Sequence, residues 1–158
     1  MVHRMAAATE RVHRRVLVGL PLALLATPVQ AHHGFSGRYD AAQPIFLAGT
    51  VVRAAFQPPH PTLILRIAEE IALPNGTEFD GRLIRRPQDQ GQLREVEFPP
   101  VQLFYALASR IALGDRVAVI AYRNCAAPHQ LRGQWIRLRD GSIVVRSGRM
   151  QSDVEACR

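Results

Sequence analysis

Six histidines and two cysteines carry most of the chemistry open to this chain. His32 and His33 are adjacent, His60 sits inside Pro58-Pro59-His60-Pro61, and His129 follows Pro128 in a stretch that begins at Cys125. Cut after Ala31, the chain would begin at His32, whose free α-amine and imidazole can chelate one metal ion through a small ring. His33 would stand beside it, and His60 or His129 would approach through the fold. A stiff Pro-His-Pro corner pre-orients His60, which reduces the entropy cost of binding. Amine and imidazole nitrogens suit Cu(II), Ni(II) and Zn(II), with copper favoured by intrinsic affinity. The candidate metal set is therefore His32, His33 and His60, with copper as the candidate cofactor. The plainer alternative is a polar terminus and a histidine that caps a corner.

Little in the sequence argues for catalysis. There is no Gly-x-Ser-x-Gly elbow, no His-Glu-x-x-His, no Cys-x-x-Cys and no phosphate-cradling glycine loop. A copper oxidoreductase built on His32 would rest on one residue, so the chain reads as non-enzymatic. Phe56, Phe79, Tyr105, Tyr122 and Trp135 fall in expected elements, where core packing is their commoner role.

The N-terminal segment has the three parts of an export signal. Arg4, Arg11, Arg14 and Arg15 form a basic start, Val16 to Ala26 an apolar run, and Val29-Gln30-Ala31 a small-residue exit. The apolar run is too short to span a bilayer as a helix, which takes about 20 residues, so no membrane span is expected after cleavage. Residues 1–31 are read as a signal peptide and the product as periplasmic or secreted. Arg14-Arg15-Val16-Leu17-Val18 loosely matches a twin-arginine signal, leaving the export route open between the two systems.

Removing the leader takes four arginines and one glutamate, lowering the formal charge from +7 to +4. The remaining arginines are spread along the chain and read as a solvated surface. Export and that dispersal argue against nucleic acid as a partner. Export also brings Cys125 and Cys157 into an oxidising compartment, where a disulfide is the simplest outcome, tying the C-terminal tail to a strand end.

These groups must be positioned by strands. Residues 32–44 lack an apolar period and read as an arm; 45–158 read as a single β domain. Ile45 to Phe56 is the first expected strand, with Gly49 at a point where strands bulge. Thr62 to Ile67 follows the proline corner. Thr77 to Ile84 alternates like a half-buried antiparallel strand, and Arg94 to Phe98 competes with it for third place. After the polar connector Arg85 to Gln92, Pro99-Pro100 opens an expected helix over Val101 to Arg110. Arg116 to Tyr122 is a further strand, and Gln134 to Leu138 with Ser142 to Arg146 form a hairpin around Asp140-Gly141. This order predicts a mainly β fold: a small OB-like barrel of five or six strands with one short helix.

The motifs His32-His33-Gly34-Phe35, Tyr39-Asp40, Pro44, Gly49-Thr50-Val51, Pro59-His60 and Gly114-Asp115-Arg116-Val117 together resemble a family of small exported bacterial proteins known only as a domain of unknown function. Its members begin after cleavage with His-His-Ser-Phe and carry an Asn-Pro-His corner after the first strand. Pro58 stands where that family has asparagine, and Arg85 to Gln92 looks like an insertion. The resemblance implies a fold and a location, with no activity attached. The expectation is an exported OB-like module binding a partner protein or small ligand over its barrel face; the alternative is a metal-handling protein.

Overall fold

The computed structural model describes residues 37–68 and 73–158. The expected signal peptide, His32 and His33 lie outside the described residues. Five strands build the barrel: β1 (Tyr39–Ala55), β2 (Thr62–Ile67), β3 (Leu93–Glu97), β4 (Arg116–Asn124) and β5 (Leu131–Arg137). β1 pairs with β2 and β4, β2 with β3, and β5 with β3 and β4, so the path returns to β1 and closes. Every pairing is antiparallel except β3–β5, a parallel contact at Glu97 and Arg132. This is the OB-type connectivity expected from the element order. Two short strands attach to it: β6 (Ile143–Val145) extends β5 as the hairpin around Asp140-Gly141, and β7 (Asp153–Val154) runs parallel to Tyr39-Asp40.

β1 is long because it serves two neighbours, and its register shifts between Asp40 and Ile45 and between Val51 and Arg53 let it curve around the barrel. Gly49 lies at the tightest approach. A Cβ there would stand 2.1 Å from the Arg66 carbonyl oxygen on β2. The strand begins at Tyr39, within the stretch expected to be an arm, since Tyr39 and Asp40 pair with Asn124 and Arg123. The irregularity before Ile45 splits β1 into two phases, which hides its first half from any search for a single alternation.

The barrel interior is filled by Leu47, Leu63, Leu65, Val96, Val119 and Ile136 and their neighbours, all buried. The expected helix is shorter than Val101 to Arg110: one α-turn, α1 (Gln102–Tyr105), passes into a 3₁₀ turn over Ala106–Ser109. Its Phe104 and Leu107 are fully buried, and the Phe104 ring lies 4.8 Å from that of Phe98.

Thr77 to Ile84 is not a strand, and the third barrel strand is Leu93–Glu97. The Asp80 carboxylate accepts hydrogen bonds from the Thr77 hydroxyl (2.8 Å) and the amides of Gly76 (2.8 Å) and Thr77 (3.0 Å), winding the segment into turns in place of a ladder. Its alternation still buries Phe79, which packs with Phe46, Ile120, Tyr122 and Trp135 in a second apolar cluster. At the segment's end, Ile84 bridges to Ile45.

The Arg85 to Gln92 connector is anchored by Asp89, whose buried carboxylate lies 3.2 Å from Arg86 and 2.6 Å from Arg94. Cys125 and Cys157 form the expected disulfide. No helix among the described residues is long and apolar enough to cross a membrane.

Candidate functional site

The proline corner between β1 and β2 delivers His60 to the edge of β3. There the His60 Nδ1 and Oε1 of Glu97 share a hydrogen bond, with both side chains largely buried. Tyr105 supports the corner by donating its hydroxyl to the Pro59 carbonyl at 3.0 Å. The Glu97 carboxyl is raised above the ordinary glutamate range, chiefly because burial penalises its charge, while His60 pulls it the other way. A carboxylate on Nδ1 fixes the ring tautomer and orientation, a device also used behind metal-bound histidines.

β-strand alternation sets the rest of this site. Val96 points into the barrel, so Glu95 and Glu97 point outward, paired with Ile64 and Thr62 of β2. The loop between β4 and β5 brings His129 and Gln130 to the same place. Glu95, Glu97, His129, Gln130 and Leu131 together line a cleft of about 270 Å³. Of the two histidines expected to approach as ligands, His60 bonds to Glu97 and His129 lines the cleft with it. Among the described residues no group of three His, Cys, Asp or Glu side chains is placed to hold a metal ion.

Behind the cleft lies the Arg132 side chain, fully buried and register partner of Glu97. Its guanidinium bonds to Asp153 of β7 and Ser152, and lies over the rings of Tyr39 (4.1 Å) and Tyr122 (5.8 Å). Burial pulls it down to about 10, which leaves it charged at neutral pH. This cluster fastens the C-terminal segment to the strand that forms one wall of the cleft.

A second cavity lies on the outer face of β2, β1, β4 and β5. It measures about 550 Å³ and includes Arg66, Arg116 and Arg137 in its lining. These arginines are far apart in the sequence, and the barrel register brings them to one groove. Glu95 and Glu97 were equally hidden, because their common face depends on which run is β3. The alternation of Arg94 to Phe98 held the clue, once the competing Thr77 to Ile84 run is removed. No family model and no curated protein matches this chain.

Proposed function

We propose that this chain is an exported, non-enzymatic OB-type module that binds its partner at the cleft between the β1–β2 corner and the β4–β5 loop. The observation that carries the reading is that Glu95, Glu97 and His129 line one cleft outside the packed core, with His60 bonded to Glu97 at its edge. OB barrels commonly use the outer face of their second and third strands, flanked by these two loops, for recognition. Two outward carboxylates suit a cationic, donor-rich group on the partner: an ammonium or guanidinium of a protein side chain or small ligand. The leader pattern and the resemblance to small exported proteins support the periplasmic or secreted location.

A second reading has one specific observation in its favour. Glu97 on Nδ1 of His60 is the kind of support that a metal-bound imidazole receives, so a copper site drawing on His32, His33 and His60 is the alternative function. One calorimetric experiment separates the two, using residues 32–158 with the N-terminus checked by intact mass. Spermidine is titrated into wild type and into the Glu95→Gln/Glu97→Gln double variant; Cu(II) and Zn(II) are titrated into wild type and His32→Ala. Saturable spermidine binding lost in the double variant supports the binding module. Stoichiometric copper binding lost in His32→Ala supports the metal protein. Absence of both overturns both readings.

A further inference from the structure

We propose that the groove on the outer face of β2, β1, β4 and β5 is a binding site for a small amphipathic anion, separate from the cleft at His60. The strand register places its groups. Thr50 of β1 is paired with Arg66 of β2 on one side and Arg116 of β4 on the other. In the next row on the same face, Ala48 pairs with Ala118 of β4, and Ala118 pairs with Arg137 of β5. Directly paired residues in an antiparallel ladder share a face, so three guanidinium groups from three strands stand over a floor of two alanines and a threonine.

The floor is short-chained at the positions where a longer side chain would fill the groove. Ala48, Ala68 and Ala118 give the groove its apolar surface, while Ile67, Val117 and Leu138, also in its lining, belong to the barrel core beneath. The volume, about 550 Å³, lies within the range of about 300–1,000 Å³ typical of small-molecule sites.

Among the described residues the charged side chains that line the groove are all arginine. Arg66 donates only weakly to the Gly91 carbonyl, at 3.4 Å. Asp115, next to Arg116 in sequence, is engaged by the Ala112 amide at 2.9 Å and by Arg139 at 3.3 Å. Like charges held in adjacent rows repel, and a bound carboxylate or phosphate relieves that repulsion through the paired N–H donors of each guanidinium. The arginines therefore select the anionic head, and the apolar floor selects a ligand with a hydrocarbon body over a bare inorganic ion.

The test uses decanoate, inorganic phosphate and phosphatidylglycerol vesicles against wild type and the Arg66→Gln/Arg116→Gln/Arg137→Gln triple variant. All three arginines are exposed, so the triple variant is expected to keep the wild-type circular dichroism spectrum and an equal or higher thermal midpoint. Decanoate is expected to bind saturably at one site, at least about tenfold more tightly than inorganic phosphate. The triple variant should bind decanoate at least about tenfold more weakly than wild type. Decanoate binding that is absent, or unchanged in the triple variant, overturns the proposal. Phosphate binding as tight as decanoate overturns the amphipathic assignment, and binding to vesicles without binding to decanoate overturns the groove in favour of a membrane-facing surface.

Discussion

The Arg132 guanidinium lies 4.1 Å from the centroid of the Tyr39 ring, and its charge is met by Asp153 in the last short strand. One end of the chain is thereby fixed to the first strand of the barrel by a buried cation that two aromatic rings and one carboxylate share. Asp153→Asn keeps the shape and removes the countercharge from a fully buried guanidinium. Such a loss costs about 3–5 kcal/mol, so chemical denaturation should show a midpoint far below that of wild type. A loss under 1 kcal/mol would show that the pair does not hold the tail.

Glu97 gives the fold a pH dependence of definite sign. Its carboxyl is raised in the folded state by burial, so the native protein holds that proton more tightly than the unfolded chain does. The associated stability is fully present below the ordinary glutamate value of about 4.3 and is lost as pH rises through the raised value. The stability of wild type minus that of Glu97→Gln should therefore decline in urea titrations as pH rises above the ordinary glutamate value of about 4.3. A difference that is flat or grows with pH contradicts the burial argument.

Two glycines mark contacts that no other residue fits. A Cβ at Gly133 would stand 2.3 Å from the buried Phe98 ring, and one at Gly49 would stand 2.1 Å from the Arg66 carbonyl oxygen. Gly133→Ala is expected to lose about 1–3 kcal/mol, in the range of overpacked cores. Gly49→Ala is expected to lose more, because a strand backbone must move where the other variant displaces a ring. Thermal unfolding of both variants checks the order.

The disulfide closes a loop with a sequence separation of 32 between Cys125 and Cys157. Chain entropy assigns a loop of this length about 3–4 kcal/mol. Cys125→Ser/Cys157→Ser should lose stability of that order in urea, and reduction of the wild-type protein should reproduce the loss.

The barrel was legible in the sequence where local patterns carry the information. Pro58 to Pro61 broke the first strand from the second, Asp140-Gly141 set the last hairpin, and Pro99-Pro100 opened the helix between the third and fourth barrel strands. The errors fall where side chains compete with the backbone pattern. Thr77 to Ile84 alternates like a strand, yet Asp80 captures its amides and turns it into a lid over Trp135 and Tyr122. Tyr39 and Asp40 looked like an arm because the irregularity before Ile45 changes the phase of β1. The candidate site was half legible: His60 and His129 stood out by residue type, whereas Glu95, Glu97 and the three groove arginines acquire meaning only from barrel register.

Whether the cleft at His60, Glu97 and His129 is the recognition surface is decided by amide chemical-shift mapping of residues 32–158 during a spermidine titration. Binding in the cleft should give saturable shifts concentrated at His60, Glu95 to Glu97 and His129 to Leu131. Shifts that do not saturate, or that spread over the barrel without favouring these residues, would contradict it.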